Sequence, residues 1–293
     1  MLFTPTTAVD MATTLAQYAV EALLEEVRLT PKPGLVDGQN SGSHHDLTLE
    51  MMERSAFSLE ETFFEIAMAS FGGVPSQRLR ERLAAIGRYG EQVMLRTTGQ
   101  VNTHKGAIWV LGLLTAGAAL NWPPETAEHP AFADANVFAG ILNSAGLIAS
   151  FEDRYKPIAT TNGDKVRSLY RVRSAREEAV AGFPTLGRVA LPAWLAFEGA
   201  PETVRRLNVL LTLMSVVDDT CIIHRSTMEV GREVQQRAGG IIRKGGVGVP
   251  ANAGDYAALD QFVTDHWVSP GGSADLLAAT IFLQKVLQHY KIN

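Results

Sequence analysis

Apolar residues recur along this chain at intervals of three and four, and almost nowhere alternate one-for-one with polar residues. From about 9 to 29, Leu15, Ala19, Ala22, Leu23, Glu26 and Val27 fall at helical spacing, and Pro31 stops the run. Leu49, Met52, Ala56, Leu59, Phe63 and Ile66 then form one stripe, started by a cap at Asp46 or Thr48 and ended by the sequence GGVP at 72–75, so one continuous helix is predicted there. A third helix is expected over about 76–96. Thr103 is placed to cap an apolar helix over 107–120, which is too short and too rich in glycine for a membrane span. Further helices are expected over roughly 131–149, 187–197, 201–217, 227–243 and 256–265, with a last one from Ser273 almost to the end. No series of alternating Val/Ile-rich runs calls for a sheet, and no repeat or evident linker divides the chain. The expectation is all-α: a single large multi-helix domain over 1–293 with long polar loops.

Those loops hold the candidate chemistry. Residues 30–46, TPKPGLVDGQNSGSHHD, cannot be helical because Pro31 and Pro33 bar it, and a merely connecting loop could be shorter. They offer Lys32, Asp37, Asn40, Ser41, His44 and Asp46. Residues 98–106, TGQVNTHKG, put His104 and Lys105 in or beside a first helical turn, where free N–H groups and the helix dipole attract an anion. Read structurally, Thr103 is only a cap and His104 only a packed side chain. Lys165, Arg167, Arg171, Arg173 and Arg176 crowd five cations into twelve residues, with Glu177 and Glu178 behind them. This is either a phosphate grip or a solvated helix laced with ion pairs. Asp218 and Asp219, in VVDDTCIIHR with Arg225, are a carboxylate pair of the kind that suits Mg²⁺ or serves as a base; the alternative is a helix cap. In PGGSADLL, Ser273 reads as an N-cap and Asp275 as a first-turn acid.

Composition narrows the picture. With 46% hydrophobic and 19% charged residues, the 293-residue chain can bury a large core. A net charge of -5 argues against binding nucleic acid or an anionic membrane broadly, though a small anion needs only a local cationic cluster. Cys221, the single cysteine, excludes an internal disulfide or a Cys-rich zinc site and reads as a small buried side chain. The opening MLFTPTTAVDMATT has neither the basic segment nor the apolar core of a signal peptide, so a cytoplasmic location is expected.

Five blocks in this order, TPKPGLVD with NSGSHHD, TGQVNTHKGAI, the GFP turn, DDTCIIHR and PGGSADLLA, resemble the triphosphoribosyl-dephospho-CoA synthase family, from about residue 19 to 284. The IWVLGLL continuation and the cysteine in DDTCIIHR are more similar to the branch serving malonate decarboxylase than to that serving citrate lyase. Asn162 and the RE of Arg176-Glu177 depart from commoner family patterns. The resemblance implies a helical enzyme that joins ATP to 3'-dephospho-CoA through the 2'-hydroxyl and releases adenine, with Mg²⁺ as cofactor. Its product would go to a transferase acting on an acyl-carrier subunit. On that implication, Asp37 or Asp46 is the base, and Asp218 and Asp219 bind Mg²⁺. Lys32, Lys105 and Arg225 hold phosphates, with Arg173 and Arg176 as further candidates. Asn40, His44, Asn102 and His104 orient ribose or adenine, with the two histidines also counted as catalytic, and Ser41, Thr103 and Glu178 complete the substrate contacts. A homodimer is compatible with the sequence. Rival readings are a nucleotide glycohydrolase using the same acids with water, and a nucleotide-binding accessory protein without catalysis.

Overall fold

The structure is a computed structural model that describes residues 7–122, 134–156 and 162–292. Helices α1 (Ala8–Arg28), α3 (Glu60–Ser70), α5 (Lys105–Leu120) and α14 (Gly271–Ile292) make the centre, with α1 packed on α3 and α14, and α5 on α3 and α14. α5 is apolar all round, and its residues from Ala107 to Ala119 are buried except for Trp109, which is half-buried. A helix without a polar face belongs inside a core. Phe63, Leu111, Leu114, Ile141 and Phe282 are fully enclosed there. Around the centre lie α2 (Leu49–Ser58), α4 (Gln77–Thr97), α6 (Asp134–Ser150), α7 (Asn162–Tyr170), α8 (Ala175–Val180) and α9 (Leu191–Ala196), the last entered through a π-helical turn at Leu186–Ala190. α10 (Glu202–Met214), α11 (Thr220–Arg225), α12 (Met228–Arg243) and α13 (Ala253–Asp265) complete the chain order. Among the described residues there is no strand, and no helix is long and apolar enough to cross a membrane. The all-α expectation holds.

Three local expectations are corrected. The helix expected to run unbroken through 59 is two: Leu59, at φ -94° and ψ -3°, closes α2 and opens α3, whose first turn carries Glu60 and Glu61. Two acids at that point favour a new helix start, because the positive end of a dipole meets them there. The start of the expected 131–149 helix lies partly outside the described residues. Thr103 caps nothing: α5 begins at Lys105, whose N–H is received by Asn102 Oδ1 (3.2 Å). Nor is Ser273 an N-cap, since α14 begins two residues earlier and the Ser273 hydroxyl donates to Asp219.

Candidate active site

Loop 29–48 is held in one shape by its own polar groups. Asp37 is buried and receives the N–H groups of Lys32 (2.8 Å), Gln39 (2.7 Å) and Asn40 (3.1 Å), so both of its oxygens are engaged in folding the loop. Asn40 is exposed, and its Oδ1 receives the Gly42 N–H (2.7 Å). Gly42 sits at φ +53°, and a Cβ there would lie 2.5 Å from the Gly34 carbonyl, so the loop folds back on itself only with glycine at that point. Helix α13 braces the loop from outside: the Tyr256 hydroxyl donates to the Pro31 carbonyl (2.6 Å), Asp260 receives the Gly34 N–H (3.2 Å), and the Ser43 hydroxyl donates to the Val263 carbonyl (3.1 Å).

The loop delivers Lys32 to the centre of the molecule. Its ammonium is buried and donates to Glu26 Oε1 (2.6 Å) and to the Glu26 carbonyl (2.7 Å) at the end of α1. A buried pair of this kind keeps both charges in place but leaves Lys32 only its remaining proton for an incoming anion. Beside it is His104, whose Nδ1 is 2.8 Å from Ser55 Oγ; Ser55 Oγ is in turn 2.6 Å from Thr103 Oγ1. Burial, with the Lys32 charge adding to it, pushes His104 down to about 4, so the ring is neutral near neutral pH. Its Nε2 is buried without a hydrogen-bond partner.

The first turns of α5 and α14 meet here. A Cβ on Gly106 would fall 2.1 Å from Asp275 Oδ2, so only glycine lets the carboxylate lie against the start of α5. Among the described residues no hydrogen bond engages the Asp275 carboxylate. Burial pushes its pKa well up, and the nearby Glu26 and Asp219 carboxylates push it further. Asp275 is half-buried and Cys221 exposed, although protein crowds around both. Cys221 is therefore not the buried side chain expected of it. The protein crowding its sulfur and the two neighbouring aspartates raise its thiol, which makes it a poor nucleophile. Beside it, Arg225 donates to the Ser43 carbonyl (3.0 Å) and to His44 Nδ1 (3.2 Å). Burial and the Arg225 charge hold His44 down at about 4, against Asp46, whose Oδ1 is 3.8 Å away. Asp46 itself is exposed, Ser41 is half-buried, and Lys105 pairs with Glu91 on α4 (2.9 Å).

A profile of the ATP:dephospho-CoA triphosphoribosyl transferase family matches residues 12–293. The chain belongs to the triphosphoribosyl-dephospho-CoA synthase family. It is 43% identical over 277 residues to a Pseudomonas syringae pv. syringae (strain B728a) protein named "Probable 2-(5''-triphosphoribosyl)-3'-dephosphocoenzyme-A synthase", covering 94% of this chain and 91% of that one. To the "2-(5''-triphosphoribosyl)-3'-dephosphocoenzyme-A synthase" of Klebsiella pneumoniae it is 39% identical over 274 residues, covering 93% and 94%. No solved structure gives a significant match. The protein is thus an enzyme of this synthase family.

Not every expected residue reaches this synthase site. Arg173 pairs with Glu178 (3.2 Å), Glu178 also receives the Thr185 N–H (2.6 Å), and Arg167 pairs with Glu177 (2.8 Å). None of these contacts touches the central cluster. With Arg171 and Val172, the residues Arg167, Arg173 and Glu177 instead line a surface notch of about 340 Å³. Asp219 receives N–H groups from Cys221 (3.0 Å), Gly272 (3.2 Å) and Ser273 (2.9 Å) and the Ser273 hydroxyl (3.1 Å), while Asp218 is exposed and receives a Gln235 amide proton (3.1 Å). A carboxylate with four donors on its two oxygens has little lone-pair density left for a cation. Among the described residues no group of three His, Cys, Asp or Glu has metal-binding geometry. The Asp218–Asp219 pair does not fit a resident Mg²⁺; Asp219 instead caps α11 and ties down the start of α14. Glu26 and Ser55 belong to this cluster although no polar block contains them, and Asp275, read from the sequence as a first-turn acid, joins them. The available signals were an acid on the buried stripe of α1 and a small polar residue next to Ala56.

Proposed function

We propose that this site joins ATP to 3'-dephospho-CoA, forming 2'-(5''-triphosphoribosyl)-3'-dephospho-CoA and free adenine. Asp275 carries this reading: it is a carboxylate with no hydrogen-bond partner among the described residues, lying against the first turn of a helix that bears Lys105. Family membership supports the substrate classes.

In the step, the bond from ATP ribose C1 to adenine N9 breaks, and a bond forms from that carbon to the 2'-oxygen of dephospho-CoA. Asp275 takes the 2'-hydroxyl proton, adenine leaves with the N9 electron pair, and an equivalent proton reaches its ring nitrogen from solvent, so neutral adenine departs. The raised pKa of Asp275 makes it a stronger base than an exposed aspartate. Asp37, fully engaged by backbone N–H groups, serves instead to hold the loop. The start of α5, with Lys105 and Arg225, carries phosphate, as helix N-termini do. If each hydroxyl of the chain Thr103, Ser55, His104 donates onward, Nε2 of His104 keeps the ring proton and offers it as a hydrogen-bond donor to the leaving base. Mg²⁺ enters with ATP as part of that substrate. Attack opposite adenine inverts the sugar carbon without a covalent intermediate. The similarity of DDTCIIHR to the malonate decarboxylase branch supports a carrier subunit of that enzyme as the eventual recipient, in the cytoplasm.

The test follows adenine and coupled product together by mass spectrometry, with ATP, Mg²⁺ and dephospho-CoA. The expected result is adenine only when dephospho-CoA is present, with a product equal to both substrates less adenine. Adenine without dephospho-CoA would make the enzyme a glycohydrolase; bound but intact ATP would make it a binding protein.

A further inference from the structure

Along α4, Arg80, Ala84, Gly87, Arg88 and Glu91 fall on one face, at intervals of three and four. That face meets α5. Glu91 reaches Lys105 (2.9 Å), and Gly87 lies opposite Ile108. The small residues Ala84 and Gly87 lie on this face between Arg80 and Arg88, along the seam with α5. Arg80 is only 7% exposed, its guanidinium lies 5.1 Å from the centre of the Trp109 ring, and its Nε is buried with no hydrogen-bond partner. Trp109, one turn beyond Lys105, donates from Nε1 to the Ala175 carbonyl (3.3 Å), which brings the start of α8 over this seam. The next residue, Arg176, is exposed and has no ion pair among the described residues, unlike Arg167 and Arg173. Arg176 and Arg88 both bear on Arg80 electrostatically, and Asp153, paired with Arg88, opposes them. Three guanidiniums beside this carboxylate, one of them buried with an idle donor, form an arrangement that water alone compensates poorly and an anion compensates well.

We propose that this seam between α4 and α5 is a second polyphosphate subsite, in which Arg80, Arg88 and Arg176 hold the phosphate chain of one of the two substrates against Trp109. It rests on the function proposed above in one respect: a reaction joining two phosphorylated molecules must hold two phosphate chains, and the start of α5 accommodates one. The seam runs on from Lys105, so the two chains would lie end to end along α5.

The test uses the full chain and inorganic tripolyphosphate as probe, by titration calorimetry, with thermal melts as a folding control. Arg88→Gln and Arg80→Lys are each expected to weaken one class of tripolyphosphate sites about tenfold or more, the loss of a charged hydrogen bond. Asp153→Asn is expected to tighten it, because a carboxylate facing the anion is gone. Should Arg80→Lys fail to fold, the partly exposed Arg88 and its partner Asp153 still decide. Tripolyphosphate affinities equal to wild type in Arg88→Gln and Asp153→Asn would overturn the proposal. In turnover assays the two arginine variants should raise one KM with kcat little changed, and Asp153→Asn should lower the same KM. A rise for ATP assigns the subsite to the triphosphate, and a rise for dephospho-CoA assigns it to the diphosphate of that molecule. Arginine variants that weaken tripolyphosphate binding in a protein that forms no coupled product would leave the subsite standing and remove the functional reading instead.

Discussion

Asp275 is held where ionisation is costly: burial raises its pKa, and Glu26 and Asp219 add like charge. A folded-state pKa above the unfolded value of 3.8 means that the folded chain loses stability as pH rises past that value toward the raised one. Asp275→Asn removes this cost and the proposed base together. We expect turnover to fall by roughly a hundredfold or more while Tm at neutral pH rises by about 2 °C or more, the gap widening from pH 4 upward. An unchanged turnover would remove Asp275 from the chemistry. His104 carries the opposite sign, as a base kept neutral by burial. Its pKa falls from 6.5 unfolded to about 4 folded, so the unfolded chain binds the extra proton between those values. Stability attributable to His104 is then intact above pH 6.5 and declines toward pH 4, by roughly 3 kcal/mol in all. Chemical denaturation from pH 7.5 to 4.5 should show this slope in wild type and a shallower one in His104→Asn; equal slopes would contradict it.

At the scale of elements, the polar knots between helices were legible as places of interest, but their internal wiring was not. Asp37 sits in a loop full of candidate ligands, and only the folded loop shows three N–H groups converging on it. Asp219 had three readings, metal ligand, base and helix cap, which a linear pattern cannot separate because all need an acid at the edge of an apolar helix. In the structure it caps α11 and also receives the Gly272 and Ser273 N–H groups in the first turn of α14. Replacing it by alanine should leave those donors buried and unmatched, at a cost of roughly 2–4 kcal/mol in denaturant unfolding, with Asp219→Asn losing less. A cost below about 0.5 kcal/mol would show that water replaces the carboxylate freely. The break at Leu59 was missed for a related reason: the apolar stripe continues through it, and periodicity does not register a change of direction.

At the scale of the whole molecule, the apolar pattern by itself determined the helical class, most helix positions and the buried character of α5. Those properties depend on neighbours three and four residues away, which the chain carries with it. The order of the polar blocks likewise marked the family. Only the tertiary structure decided that Glu26, Ser55, His104 and Asp275, drawn from α1, α2, the α4–α5 turn and α14, share one site, and that Arg173 and Glu178 stand apart from it. Such meetings depend on how helices pack, through close approaches such as Gly106 against Asp275. The ionisation of each group then follows from the company it keeps there.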